Sequence, residues 1–201
     1  MSQSTNDKHD ANNETNSNDA ELAALDINAA ESIDDEILDS FYHRDHLLHI
    51  MMTTLDYIDG RMNQGLILPY FEDIEPERWQ SKIKALDIYI TDEVEGHALN
   101  LEARDKDYAT NILSYPSDLP TAIIELMPTL PLGELVICHD VMVREANAQN
   151  KTVTQHISHL LIHGVLHLLG FDHELGQVEQ DEMEDFEINI LAKLDLPNPY
   201  V

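Results

Sequence analysis

The sequence contains little cysteine, few basic residues and no long apolar run. Its one cysteine, Cys138, excludes an internal disulfide and the cysteine-rich zinc and redox motifs. No apolar segment approaches the roughly 18 residues that a membrane span needs. The N-terminal residues lack the basic and apolar regions of a secretory signal. We therefore expect a cytoplasmic protein with no membrane partner.

Positive charge is scarce along the whole chain. Lys+Arg number 11 and Asp+Glu number 39, so the formal net charge is -28 over 201 residues. Residues 1–40 hold eleven acids and one lysine, which still leaves residues 41–201 strongly acidic. This balance argues against nonspecific binding to polyanions, and we expect no DNA partner. Any contact with nucleic acid must use a local site.

The order of hydrophobic patterns predicts an α+β fold. Residues 1–40 are predicted to be an acidic, disordered tail, with at most a fraying helix after residue 20, and residues 41–201 to be one folded domain. Three strands are predicted, at 86–90, 110–115 and 134–139, and five helices, starting at Pro76 and covering 93–103, 141–149, 152–169 and 179–194. The segment 46–54 fits a strand or a helix equally well. The prediction is therefore a sheet of three to four strands packed with about five helices.

The longest predicted helix carries a stripe of histidines beside its apolar face. At about 100° per residue, His156, His159 and His167 all lie within about 40° of His163. His163 and His167 are one turn apart and can bind one ion. His159 and His167 are about 12 Å apart along the axis and cannot. A third ligand must therefore come from outside the helix, and His156 and His159 are expected to line the cleft or to support the ligands.

The residues after the helix supply that third ligand. Gly170 can adopt positive φ and turn the chain, which brings His173 back over the helix end. The pattern His163-x3-His167-x5-His173 then offers three imidazoles and leaves a fourth position for water, as in catalytic metal sites. Three imidazoles favour zinc over harder divalent ions.

Gly164, the residue after the first predicted ligand, helps to distinguish between two classes of reaction. Zincin peptidases have glutamate at that position as general base, whereas this chain has Gly164. A phosphodiester substrate instead needs a cation for its developing negative charge. Arg104, at the end of a predicted helix, is one candidate, and it could equally be a cation that interacts with the helix dipole.

Several segments resemble the YbeY family of bacterial endoribonucleases. The segment HGVLHLLGFDHE (His163–Glu174) is similar to the family's metal motif. Arg104–Asp107, 110–116, Gly133–Cys138 and the terminal Asn198–Tyr200 also fit, so that the resemblance covers roughly residues 66–201. Ala103 and Asp105 depart from it, because the family usually has an aromatic residue and a glycine there.

This resemblance implies both a structure and a function. The sheet would be mixed, the long histidine-bearing helix would lie at the metal site, and one zinc ion per chain would be held by His163, His167 and His173. Arg104 would be the cleft arginine associated with activity. The implied activity of the metal-dependent hydrolase domain is cleavage of single-stranded RNA. The implied roles are 16S rRNA 3′ end processing and ribosome quality control.

The partners implied are single-stranded rRNA and the ribosome, and the acidic charge suits basic ribosomal proteins. Two alternatives remain at this point. One is a non-enzymatic ribosome assembly factor whose metal site stabilises the fold. The other is a metallopeptidase, which Gly164 disfavours.

Overall fold

A computed structural model of the protein describes residues 23–201, and over them the chain forms one mixed sheet and eight α-helices. The strands are β1 (Ala23–Ala29), β2 (Ile83–Thr91), β3 (Ile112–Pro116) and β4 (Thr129–Cys138). The helices are α1 (Asp35–Phe41), α2 (Arg44–Met62), α3 (Pro76–Ser81), α4 (Glu93–Arg104), α5 (Thr121–Leu126), α6 (His139–Ala148), α7 (Val153–Leu168) and α8 (Gln177–Lys193). Within this part of the chain, no helix is long and apolar enough to cross a bilayer.

The α+β prediction is confirmed, with more helices than the predicted five. The strand order is β1-β2-β4-β3, in which β1, β2 and β4 run parallel and β3 pairs antiparallel with β4. The ambiguous segment 46–54 lies inside α2, whose buried residues recur at helical spacing. Of the helices that the sequence did not predict, α1 and α5 have only 7 and 6 residues, too few for a clear period.

The predicted domain boundary at residue 40 is wrong. Strand β1 lies within the segment predicted as a tail, and it pairs with β2 from Ala23↔Lys84 to Ala29↔Ile90. Its Ala23 and Leu25 side chains are buried in the core. Pairing with β2 overrides the helix propensity of this alanine-rich segment. The predicted disorder of residues 1–20 lies outside the described residues.

Helix α7 packs against one face of the sheet and sets the position of the histidine stripe. Thr152 caps its first turn, since its Oγ1 accepts the N–H of Gln155 at 3.1 Å and its own N–H donates to Gln155 Oε1 at 2.9 Å. Gly164 lies where α7 is in close contact with the sheet. A Cβ atom there would be 2.7 Å from Leu135 Cδ2 and 2.9 Å from Ile112 Cδ1. The residue after His163 therefore faces the sheet and leaves no room for a catalytic carboxylate.

Candidate metal centre

Three histidines converge at the C-terminal end of α7. His163 and His167 lie on consecutive turns of the helix, and His173 lies in the loop that follows it. Each offers one ring nitrogen, and these nitrogens all lie within 4.8 Å of one another. The Nε2 atoms of His163 and His167 are 3.1 Å apart. The structure thus brings together the residues that the spacing predicts as a group.

The turn after α7 forms as the glycine predicts. Gly170 has φ +98° and donates its N–H to the carbonyl of His167 at 3.0 Å. A side chain there would also meet Tyr70, whose backbone nitrogen would be 2.9 Å from the added Cβ. Asp172 then accepts the N–H of Glu174 at 2.9 Å, which stabilises the loop that carries His173.

The donor set fits a metal ion that prefers nitrogen ligands. Zinc–nitrogen bonds of about 2.0–2.1 Å in a tetrahedral site separate two ligand nitrogens by about 3.4 Å. The separation of 3.1 Å between His163 Nε2 and His167 Nε2 is close to this value. A small rotation of each imidazole ring would therefore bring the three nitrogens to the spacing that one ion requires.

The chemical state of His167 also suits metal binding. Its pKa is lowered from 6.5 to about 4, mainly by burial and in addition by the neighbouring His163 and His173. The imidazole is therefore neutral at neutral pH, and a lone pair is available for a metal.

A buried carboxylate from α8 contacts the cluster at the cavity that His163 and His173 line. Glu187 is 1% exposed, and its Oε1 lies 2.8 Å from His163 Nδ1. Its Oε2 lies 2.8 Å from His159 Nε2 and accepts the hydroxyl of Tyr200. Burial by itself would raise the pKa of Glu187, but the hydrogen bonds to His159 and His163 outweigh it and hold the pKa well below its usual range.

This arrangement determines which nitrogen of His163 faces the cluster. An ionised carboxylate can only accept, so His163 Nδ1 carries the hydrogen and donates it to Glu187. The Nε2 lone pair of His163 is then left pointing toward His167. A carboxylate, a histidine and a metal in this order are a common arrangement in metalloproteins.

The sequence analysis did not find Glu187, although α8 contains a signal for it. The buried residues of α8 recur at helical spacing: Met183, Phe186, Glu187, Ile190 and Leu191. All except Glu187 are apolar. A lone carboxylate on an apolar helix face must have buried partners, because an unpaired buried charge is very costly. The many solvent-facing acids of the same helix hide this signal in a single sequence.

His156, at the other end of the stripe, has a different partner. It is buried, and its Nε2 lies 3.1 Å from Glu145 Oε2 on α6. The same oxygen accepts Asn111 Nδ2 at 2.7 Å. The hydrogen bond from His156 is the main cause that lowers the pKa of Glu145, against burial, which raises it. His159 contacts Glu187, which in turn contacts His163. This agrees with the second of the two roles expected for His159, which were to line the cleft or to support the ligands.

Arg104 does not line the cavity at the histidine cluster and is linked to the His173 loop through Glu174. A cavity of about 310 Å³ extends from His163 and His173 along α7 toward His156. Arg104 ends α4, and its Nη2 lies 3.6 Å from Oε1 of Glu174, the residue after His173. Its side chain is 49% exposed, so this ion pair contributes little stability.

The departure at Asp105 also has a structural explanation. Asp105 is the C-cap of α4 and adopts the left-handed conformation, with φ 55° and ψ 37°. Its N–H donates to the carbonyl of Leu101 at 3.0 Å. Glycine adopts this conformation without steric cost, so the conformation is compatible with the glycine that the family resemblance places there.

Comparison with known proteins agrees with the resemblance found in the sequence. The profile of the family described as "Endoribonuclease YbeY" matches residues 61–195. The chain belongs to the YbeY family. The match includes Arg104 and the three clustered histidines, whereas β1 and Tyr200 lie outside it.

Individual YbeY relatives cover much of the chain. The protein named endoribonuclease YbeY from Psychrobacter cryohalolentis is 77% identical over 154 residues, which are 77% of this chain and 99% of that one. Its counterpart from Psychrobacter arcticus is 79% identical over 139 residues, 69% of this chain and 68% of that one. The YbeY endoribonuclease of Acinetobacter baumannii is 55% identical over 106 residues, 53% of this chain and 67% of that one.

Proposed function

We propose that the chain is a zinc-dependent endoribonuclease that cleaves single-stranded RNA. The observation that carries this proposal is the convergence of three imidazoles at the end of α7 in a member of the YbeY family. His163, His167 and His173 would hold one zinc ion per chain. A zinc ion there would supply a Lewis acid that activates water and polarises the phosphodiester. The hydrolase domain would comprise the folded part of the chain from β1 onward.

Arg104 is proposed to bind the scissile phosphate. It pairs with Glu174 in the loop that carries His173, and so it brings a positive charge to that loop in an acidic protein. Its exposed ion pair with Glu174 can exchange for a phosphate at little cost, because phosphate accepts a bidentate hydrogen bond from guanidinium. Arg104 would then stabilise the charge that develops on the phosphodiester.

The cavity beside the cluster supports a preference for single strands. Its volume of about 310 Å³ suits one unstacked nucleotide, which a duplex does not present. Its lining includes Glu184 and Gln149, which can hydrogen bond to bases and ribose but do not attract phosphate. We propose 16S rRNA 3′ end processing and ribosome quality control in the cytoplasm as the biological setting. The acidic surface would favour contacts with basic ribosomal proteins.

The test compares cleavage of single-stranded RNA, duplex RNA and single-stranded DNA by zinc-loaded protein. His167→Ala and Arg104→Ala should each abolish most cleavage of single-stranded RNA while the protein remains folded. Arg144→Ala is the matched control, because Arg144 is also exposed and paired with a glutamate, Glu93, at 3.1 Å. It should cleave as the wild type does.

Equal cleavage by all four proteins would identify the activity as a contaminant and would contradict the proposal. The non-enzymatic assembly factor would then be the better hypothesis. Loss of activity in Arg144→Ala as well would show that positive charge in general, rather than Arg104 at its position, supports cleavage.

A further inference from the structure

The C-terminal residues lie against the histidine stripe of α7, and Tyr200 lines the same cavity as His163 and His173. Lys151 Nζ donates to the carbonyl of Pro199 at 2.8 Å, which fixes the segment on the start of α7. Asn198 Oδ1 accepts the N–H of Tyr200 at 2.8 Å and shapes the final turn. The Tyr200 ring then packs edge-on against His159, with ring centroids 5.7 Å apart. These contacts aim the Tyr200 hydroxyl at Glu187.

The hydroxyl of Tyr200 completes the hydrogen bonding of a carboxylate that touches a predicted ligand. Glu187 Oε2 accepts both Tyr200 and His159, which leaves Oε1 for His163 Nδ1. Because partners hold both oxygens, the carboxylate plane cannot rotate freely. Glu187 on α8 and Tyr200 in the C-terminal segment therefore fix the orientation of the His163 ring together.

We propose that Glu187 and Tyr200 are positioning residues for the metal site, with Tyr200 acting through Glu187 on His163. This inference rests on the proposed zinc binding by His163, His167 and His173. Neither residue would be a metal ligand, since only His163, His167 and His173 form the candidate ligand group in the described part of the chain. Glu187 selects the tautomer of His163 and increases the basicity of its Nε2, and Tyr200 holds Glu187 in place.

The sizes of the two effects should differ. Partners of metal-ligating histidines typically change metal affinity by about 10- to 100-fold when they are replaced. Glu187→Gln keeps the shape of the side chain but removes its charge, so we expect an effect of this size. Tyr200→Phe removes one hydrogen bond that is one step further away, and a loss of about threefold to tenfold is expected.

The experiment measures the affinity for zinc alone, by competition with a chromophoric chelator, for wild type, His167→Ala, Glu187→Gln and Tyr200→Phe. His167→Ala lacks a proposed ligand and should bind no zinc. Tyr89→Phe is the matched control. The Tyr89 hydroxyl also donates to a glutamate, Glu95, at 3.2 Å, and neither residue contacts the histidine cluster. Each variant that binds metal is also saturated with cobalt, whose absorption bands report ligand geometry. We expect weaker binding and shifted bands in Glu187→Gln and Tyr200→Phe and wild-type values in Tyr89→Phe.

Two results would overturn the inference in distinguishable ways. If wild type binds zinc and His167→Ala does not, but Tyr200→Phe and Glu187→Gln bind as wild type does, only the positioning roles fail. If wild type takes up no zinc, the proposed metal site fails and the inference falls with it. Should Glu187→Gln not fold, Tyr200→Phe decides, because Tyr200 is 45% exposed at the chain end and its loss should leave the fold intact.

Discussion

The histidines at the two ends of the stripe on α7 have different surroundings and different roles. At the N-terminal end, the His156 side chain is 3% exposed and is paired with Glu145. At the C-terminal end, the His163 side chain is 22% exposed, and its carboxylate partner engages Nδ1. The remaining nitrogen of His163 meets two further imidazoles, whereas His156 Nδ1 has no hydrogen-bond partner among residues 23–201. Convergence of several imidazoles, rather than pairing with a carboxylate, distinguishes the candidate ligand.

The largest expected effect tests this distinction directly. The variant His173→Ala removes the proposed ligand that comes from the loop. His163 and His167, on consecutive turns of α7, would then be the only two protein ligands. Zinc affinity should fall by more than about 100-fold, the upper end for residues that merely support a ligand. Chelator competition measures the affinity, and circular dichroism establishes that the variant is folded.

His156→Gln is the matched control at the other end of the stripe. It should retain zinc, but it should be less stable by about 1–2 kcal/mol because glutamine reproduces neither the packing nor the hydrogen-bond geometry of the buried imidazole toward Glu145. The folded-state pKa of Glu145 is lowered, so this contribution is present above the ordinary glutamate pKa and is lost as the pH falls through the lowered value. Urea unfolding between pH 7 and pH 3 measures it. Zinc loss in His156→Gln would contradict the assigned difference between the two ends.

The sheet-facing side of α7 offers the next test. Gly164→Ala should lower the free energy of unfolding by about 1–3 kcal/mol, because the new Cβ would overlap Leu135 and Ile112. Gly60→Ala is the control, since Gly60 lies within α2 and a Cβ there meets nothing within 4 Å. That variant should gain about 0.5–1 kcal/mol from helix propensity. Urea unfolding compares them, and a stable Gly164→Ala would show that helix and sheet can separate at this point.

The sequence predicts one part of the site much better than the other. His163, His167 and His173 lie within eleven residues, so helix geometry and one glycine turn suffice to group them. Glu187 and Tyr200 are separated from His163 by 24 and 37 positions, and only the packing of α8 and of the chain end brings them there. Local spacing carries no information about such contacts.

The fold shows the same division between local and distant signals. The long helices α7 and α8 have enough turns to show a period, and both were predicted within a few residues of their bounds. Strand β1 was missed because its short, alanine-rich sequence is also compatible with a helix. Its parallel partner β2 follows more than fifty residues later, and that pairing determines its structure.

The smallest expected effect concerns the loop beside Arg104. Asp105→Gly should raise the free energy of unfolding by about 0.5 kcal/mol, because glycine adopts the left-handed conformation without the contact between Cβ and carbonyl. It also removes a negative charge next to the proposed phosphate-binding arginine, so single-stranded RNA should bind more tightly, most clearly at low salt. Asp195→Gly is the matched control, since Asp195, just after α8, also has a positive φ, of 57°. Both variants should gain stability, and only Asp105→Gly should gain RNA affinity. If Asp105→Gly binds RNA no more tightly than Asp195→Gly, the charge of Asp105 does not weaken phosphate binding. The bound phosphate would then lie on the side of Arg104 that faces away from Asp105.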